Sequence, residues 1–317
     1  MSDSVVVELD AQYRQLREAC GLLDRSTRGK LLLRGAEAAE YLQGQLTNDV
    51  EALKPSEGCY AALLDRKGHM QADMRVLRLA VDEIWIDTEA EALAATRRHL
   101  ETYKVGREVA MEDVTDARAI LSLIGPGSAE LSGAPPLPRH ASKPIAIDGV
   151  GCLAVGTALG IDLLAPRADA DALSASLAAA GVPAVAPEAV EILRIESGTP
   201  RFGAEMDGGT MPAEAGIVEA AVDFEKGCYI GQETVARLHY RGKPNRHLRG
   251  LRLSRLAEPG AELRLGEKDV GRIGGSCVSP VYGPIALAIV RREAEPGTEL
   301  AVGEDGVTAR VVDLPFG

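Results

Sequence analysis

An α+β fold carrying a small antiparallel β domain at its C-terminal end is the fold class this sequence predicts. Three observations predict it. A length of 317 residues exceeds what one ordinary core supports, so about two or three domains are expected. Up to about residue 243, hairpin-like strands and amphipathic helices are mixed without strict βαβ alternation. From about Pro244 the helical periodicity stops, and short strands separated by Gly/Pro turns follow, the pattern of a barrel or a sandwich. The expected organisation is therefore an α+β region at 1–243 and a β domain at 244–317.

In chain order, Asp10–Cys20 reads as a helix with Asp10 as its cap and Gly21 near its end. Lys30–Leu33 is a short apolar strand, and Ala36–Leu46 is helical, closed by the turn signal T-N-D. Tyr60–Leu64 and Met70–Ala80 form a hairpin around D-R-K-G-H. In its second strand Asp73, Arg75, Leu77 and Leu79 share one face by the two-residue period. Ile84–Asp87 is a strand holding the single tryptophan, and Glu89–Tyr103 has helical spacing through Leu93 and Leu100. Ala119–Ile124, Ile145–Ile147 and Ile161–Leu164 are strands, with a surface loop or a shortened helix between the first two. Ala168–Ala180 is an Ala-rich helix closed by Gly181. Pro187–Glu196 is a helix with proline near its first position, and Gly231–Tyr240 is another, with Glu233 and Arg237 paired at i,i+4. The C-terminal strands fall at Leu248–Leu253, Glu262–Leu265, Val270–Ser276, Ile285–Arg291 and Val307–Val312. No repeat is visible along the chain.

Composition excludes several classes of function. An apolar fraction of 46% with 26% charged residues is globular, and 3% aromatics require aliphatic cores. A net charge of -12 disfavours broad nucleic-acid binding. No apolar run reaches membrane-spanning length, so no membrane partner is expected, and the acidic N-terminus lacks the basic segment of a signal peptide. Cys20, Cys59, Cys152, Cys228 and Cys277 form no C-x-x-C pair, which argues against a disulfide framework and a local zinc site. A reducing cytoplasm suits them, and no resident metal is expected.

Candidate chemistry concentrates between Ile192 and Arg249, where glycines, prolines, isolated carboxylates, a cysteine and a run of cations alternate as they do in a lined site. Cys228 in K-G-C-Y-I-G-Q-E lies just before a helix start and two residues from Lys226, both of which favour a thiolate; the alternative is a buried thiol. Glu196 in R-I-E-S-G and Glu214 in P-A-E-A-G are carboxylates among apolar neighbours, either inward acceptors of paired N–H bonds or solvated loop acids. Asp73 is the lone acid of its strand, an edge charge or a site residue. From Arg237 to Arg252 the chain carries cations and no acid, either a solvated surface or an anion clamp.

The octapeptide Lys226–Glu233 resembles the signature of the YgfZ-like folate-binding proteins, relatives of the glycine-cleavage T-protein (aminomethyltransferase). L-L-D-R-S-T-R-G-K at 22–30, the Tyr60–Asp73 hairpin, R-I-E-S-G-T-P-R-F-G and P-A-E-A-G follow in that family's order, so the resemblance covers most of the chain. It implies a T-protein-like three-lobed arrangement around a central channel that holds tetrahydrofolate, with a C-terminal antiparallel β-barrel and a second lobe centred on about residues 50–112. It also implies site roles. Glu214, with Glu196 as a second candidate, would grip the pterin edge; Tyr60 would line the pocket; Asp73 would lie near the reactive nitrogens; Arg246 would meet the folate's glutamate carboxylates. Lys226 and Gln232 would support the reactive Cys228. The hairpin reads G-H-M-Q-A-D where T-proteins carry G-G-I-x-D-D, so Ala72 replaces an acid, and the octapeptide cysteine is typical of the YgfZ branch. That branch implies folate-dependent support of iron–sulfur cluster assembly or repair, with iron–sulfur apoproteins or assembly factors as partners. A folate-dependent one-carbon transferase and a non-catalytic scaffold are the rivals.

Overall fold

The computed structural model describes residues 3–317. Helix α1 (Asp3–Glu18) begins earlier than expected, so Asp10 lies inside it and caps nothing. Tyr13 and Leu16, one turn apart, are its buried anchors. The chain divides into two compact units. The first comprises the chain up to Leu63, Gln71–Ala189 and Ala221–Ile230; the second comprises Leu64–Met70, Val190–Ala220 and Gly231–Gly317.

The first unit is built on two five-stranded sheets. The strands in chain order are β1 (Gly21–Asp24), β2 (Gly29–Arg34), β3 (Gly58–Leu64), β4 (Met70–Ala80), β5 (Glu83–Thr88), β6 (Ala110–Asp113), β7 (Arg118–Ile124), β8 (Ser142–Ile147), β9 (Val150–Gly156) and β10 (Gly160–Pro166). One sheet runs β3-β4-β5-β2-β6 and the other β8-β9-β10-β7-β1. The two orders are the same pattern. In each, a strand (β2 or β7) precedes a three-strand meander and pairs with the meander's last strand. A helix follows the first strand, α2 (Ala38–Gln43) or α4 (Ser128–Ser132), and another follows the meander, α3 (Ala90–Tyr103) or α5 (Ala170–Ala179).

The remaining two strands are exchanged. β1 leads directly into β2 but pairs with β7, and β6 leads directly into β7 but pairs with β2. Gly35 and Gly125 mark the equivalence. Each follows the first strand of its repeat with φ near +130°, at 137° and 127°. A Cβ on Gly35 would lie 2.2 Å from Glu108 O, and one on Gly125 would lie 2.5 Å from Ala19 O, so each glycine abuts the chain just before an exchanged strand. The repeat is structural and left no readable trace in the sequence. The expected strands were largely found, but β1, β6 and β9 were missed because they are short or flanked by glycine.

Leu32, Leu77 and Trp85 of one sheet pack with Ile120, Val155 and Leu164 of the other, so the sheets share a core. In α3 the buried positions are Ala92, Thr96 and Leu100, one helical face. Leu93 lies against Gly29, where any side chain would clash at 2.7 Å.

The second unit contains α8 (Gln232–Arg241), most of α6 (Pro187–Glu196) and a closed barrel; the short α7 (Val218–Ala221) precedes the octapeptide. The barrel strands are β11 (Arg246–Leu253), β12 (Glu262–Leu265), β13 (Lys268–Ser279), β14 (Gly283–Arg291), β15 (Glu299–Val302) and β16 (Val307–Val312). They close in the order β11-β14-β13-β12-β15-β16, every pairing antiparallel. The barrel alternative is therefore the realised one. Closure needs β15, a strand absent from the expectation: its four residues alternate exposed and buried and join β12 to β16. The barrel core is aliphatic, with Leu251, Leu263, Val290, Leu300 and Val311 among its buried residues. Among the described residues, no helix is long and apolar enough to cross a membrane.

Candidate functional site

In the first unit the hairpin strands β3 and β4 bring Tyr60 and Asp73 together. The Tyr60 hydroxyl donates to Asp73 Oδ2 at 2.7 Å, and Thr88 Oγ1 donates to the Asp73 carbonyl at 2.6 Å. Burial raises the Asp73 pKa, although the Tyr60 hydrogen bond and the Arg28 charge act against it. Burial, and then the Asp73 charge, push the Tyr60 phenol well above its ordinary value. The pair is thus a proton-seeking carboxyl beside a phenol that stays a neutral donor, an arrangement suited to holding or moving a proton. The neighbouring Ala72 is fully buried at 0%, so the position that departs from the T-protein pattern has no access to water.

Behind this pair runs a network that sequence reasoning missed. Arg28 Nε donates to Asp87 Oδ1 at 3.0 Å, and Arg28 also pairs with Glu89. Arg75 bridges the two sheets, with Nε on Asp87 Oδ2 at 2.7 Å and Nη1 on Asp162 Oδ2 at 2.6 Å. Trp85 Nε1 also donates to Asp87 Oδ2 at 3.1 Å, and Ser122 Oγ donates to Asp162 Oδ1 at 2.6 Å. Burial alone would raise the Asp87 pKa, but Arg75 and Arg28 outweigh it and hold the carboxyl well below the usual range. Lys30, at 0% exposure, donates to the carbonyls of Ser26 and Arg28 at 2.6 and 2.8 Å and so fixes the turn that carries Arg28. The available signal was a lysine inside the apolar run of β2.

Cys228 lies in an exposed loop of the first unit. Lys226, expected to favour its thiolate, points inward instead: Nζ donates to the carbonyls of Gln43, Leu46 and Asn48 at 2.7, 2.6 and 2.9 Å. Burial brings that ammonium down to about 8. It lies 5.2 Å from the centre of the buried Tyr229 ring. Asp223 N donates to Thr47 O, and Ile230 N to Gly44 O, so the loop is fastened on both sides of the cysteine. Gln232 belongs to the second unit, where it opens α8.

In the second unit Glu214 and Arg246 meet. Arg246 Nε donates to Glu214 Oε1 at 2.9 Å and Nη2 to Oε2 at 2.7 Å, a two-bond fork. The Met211 amide also donates to Oε2 at 3.0 Å, and Leu248 N donates to the Glu214 carbonyl at 2.8 Å, which laces the P-A-E-A-G turn along β11. Glu214 and Arg246 line a hollow of about 1000 Å3 whose wall also includes Glu191, Arg201, Asp207 and Asn245. Its far side is built on Glu205, whose side chain has no exposed surface. Glu205 accepts from Arg194 at 2.8 and 3.0 Å and from the Gly275 amide at 2.8 Å. Gly274 and Gly275 lie where the β13–β14 register shifts, and a Cβ on Gly275 would lie 2.5 Å from Arg194 Nη2.

Glu196 is not part of this hollow's lining. Its Oε1 accepts from Ser279 Oγ at 2.6 Å and its carbonyl from Phe316 N at 3.0 Å, so it ties the end of α6 to the barrel. The cationic run also divides. Arg249 approaches Asp313 at 3.8 Å, and Arg252 donates to Gly317 O and lies over the Tyr282 ring. Arg237, Arg241 and Lys243 are exposed and, among the described residues, form no ion pair; the expected Glu233–Arg237 bridge is not made.

Comparison with known proteins adds to this geometry. The family described as GCVT N-terminal domain matches residues 3–226. A protein of Rubrobacter xylanophilus named aminomethyltransferase is 30% identical, over 97% of this chain and 86% of its own length. A Thermus thermophilus protein of the same name is 28% identical, over 96% of this chain and 89% of its own. The crystal structure of glycine cleavage system aminomethyltransferase T from Bartonella henselae superposes with a TM-score of 0.87 at 24% identity, covering 98% of this chain and 89% of that one.

Proposed function

The chain belongs to the aminomethyltransferase family marked by the GCVT N-terminal domain, and from that premise we propose that it binds tetrahydrofolate and supports iron–sulfur enzymes through Cys228. The observation that carries this reading is how the thiol is presented. Cys228 is exposed, while Lys226 and Tyr229 on either side of it are anchored inward. A loop fastened in this way holds a thiol out to a second protein. The buried Ala72 supports the same branch, since it removes one acid from the strand that carries Asp73.

The donor set fits the cofactor. Glu214 lies at the wall of a hollow of about 1000 Å3 with two parallel acceptors, both engaged by Arg246, and these would suit the paired N–H donors of a pterin edge once that fork is released. Arg246, released from Glu214, would suit an anionic group. Tetrahydrofolate, when bound, supplies nitrogens that carry one-carbon units. Asp73, its proton affinity raised and its Oδ2 held by Tyr60, is suited to hold or take a proton within the first unit.

The test is a folate-dependent thermal shift of the full chain, followed by Cys228→Ser complementation read as iron–sulfur enzyme activity in cells lacking the protein. A shift of the wild type, with loss of that activity in Cys228→Ser, is expected. Absence of any shift, or full complementation by Cys228→Ser, would remove the reading. A second reading, aminomethyl transfer of the kind the relatives' names describe, is favoured by the Asp73–Tyr60 pair. Release of ammonia and methylene-tetrahydrofolate from an aminomethylated lipoyl carrier would favour it over the first. If Cys228→Ser and Glu214→Ala were both silent in cells, a non-catalytic scaffold would be left.

A further inference from the structure

We propose that α8 and the hairpin turn seated on it form a docking surface for an acidic protein, with Arg66, Lys67, Arg237, Arg241 and Lys243 as its cations and Tyr240 as its anchor. The inference rests on the reading of Cys228 as a thiol offered to a second protein. It goes further, because it states where that protein is met and what chemistry it presents.

The surface lies wholly within the second unit. The hairpin turn at 65–69 is seated on the first turn of α8. A Cβ on Gly68 would lie 2.9 Å from Thr234 Cβ, and one on Gly231 would lie 2.6 Å from the Asp65 carbonyl oxygen. Arg66 and Lys67 are exposed at that end, and the exposed Arg237 and Arg241 continue along one helical row toward Lys243. None of these cations forms an ion pair among the described residues. Little acid compensates them. Asp65 turns inward and accepts from the Lys67 and His69 amides at 2.8 and 2.9 Å, and α8 carries a single acid, Glu233.

The stability of the chain does not account for this arrangement. Arg237 and Arg241 repel each other at i,i+4. The dipole of α8 favours a cation at Arg241, in the last turn, but disfavours Arg66 and Lys67 beside the first. Carboxylates on a partner relieve both and supply the missing acceptors. Tyr240 is 68% exposed, stands at i,i+3 from Arg237 and meets His239 edge-on at 4.8 Å. Tyrosine and arginine are the residue types on which protein interfaces concentrate their binding energy. A net charge of -12 repels a long polyanion or a second copy of the chain, whereas a folded partner with a local acidic patch meets chiefly this surface within a screening length.

Fluorescence anisotropy of a labelled oligo-aspartate peptide, titrated with the full chain at low ionic strength, tests this. The wild type is expected to bind, and Arg237→Glu/Arg241→Glu/Lys243→Glu to bind at least about tenfold more weakly. Lys54→Glu/Arg98→Glu/Lys143→Glu reverses exposed cations elsewhere with the same change of net charge, and should stay within about twofold of the wild type. Arg237→Gln/Arg241→Gln should fall between, and serves if the α8 reversal does not fold. No binding by the wild type, or an equal loss in both reversals, overturns the surface. Tighter binding of an oligothymidylate than of the peptide, or a concentration-dependent mass that the α8 reversal abolishes, overturns the acidic protein as occupant. In cells lacking the protein, the α8 reversal should fail to restore iron–sulfur enzyme activity while its Cys228 alkylates at the wild-type rate; full restoration overturns the docking role. If the peptide result holds but Cys228→Ser complements fully, the thiol reading fails and the surface stands.

Discussion

Arg75→Met tests the polar network that joins the two sheets of the first unit. Arg75 is 8% exposed and holds Asp87 at 2.7 Å and Asp162 at 2.6 Å. The methionine fills much of the same volume but leaves both carboxylates without this partner. The losses differ. Asp87 keeps Arg28 at 3.0 Å and Trp85 Nε1 at 3.1 Å, whereas Asp162 keeps the Ser122 hydroxyl at 2.6 Å and the charge of Arg25 but no ion pair among the described residues. Removing one partner of a buried ion pair costs about 3–5 kcal/mol, and because only Asp162 loses its ion pair and Arg25 still bears on it, the lower half of that range is expected here. Arg75→Met/Asp162→Asn removes the stranded charge and should recover about 2 kcal/mol of the loss.

The assay is urea unfolding followed by the emission of Trp85, the single tryptophan, whose indole N–H is itself part of the network. The pH dependence has a definite sign. The Asp87 pKa is depressed in the folded chain below its ordinary 3.8, so the unfolded chain binds more protons in acid. The stabilisation is complete above that value and is lost as pH falls below it. Arg75→Met forfeits part of it in advance, so the gap between wild type and variant should narrow on acidification. A cost under about 1 kcal/mol at pH 7, or a double variant no more stable than the single one, would refute the reasoning.

Three further outcomes are expected. Native chain treated with a thiol-alkylating reagent should react rapidly at one site, absent in Cys228→Ser, since Cys20 and Cys152 are buried and burial pushes the Cys59 and Cys277 thiols up to about 12; a second fast thiol would contradict this. Gly275→Ala should cost about 3 kcal/mol in chemical denaturation followed by circular dichroism, because the new methyl would meet Arg194 Nη2 at 2.5 Å and Glu205 Oε1 at 2.9 Å; an unchanged midpoint would show that the ion pair can shift aside. Asp73→Asn should be at least as stable as the wild type at pH 7 while losing any one-carbon transfer. The native carboxyl binds its proton more tightly than the unfolded one, so wild-type stability declines as pH rises from 3.8 through the raised folded value, a decline that asparagine lacks; a marked drop in melting temperature at pH 7 would contradict this assignment.

What the sequence determined by itself is local. Pro187–Glu196 was legible to the residue because a first-position proline and a periodic apolar face define it within the element. The hairpin that brings Tyr60 to Asp73 follows from alternation around a glycine turn, and the loss of helical periodicity after Pro244 announced a β domain. The motif order carried the family. What only the tertiary structure decided depends on pairings far apart in the chain. The exchange of β1 and β6 between repeats, the closing role of β15 and the bridge from Arg75 to Asp162 leave no periodic trace, because each is a short segment or single side chain whose partner is set by packing. The same holds for charge. Lys226 and Arg246 both read as exposed cations aimed at a thiol or an anion, yet one is spent on three carbonyls and the other on Glu214. A sequence states which charges exist; which acceptor each desolvated charge finds is settled only when distant backbone is brought within hydrogen-bonding reach.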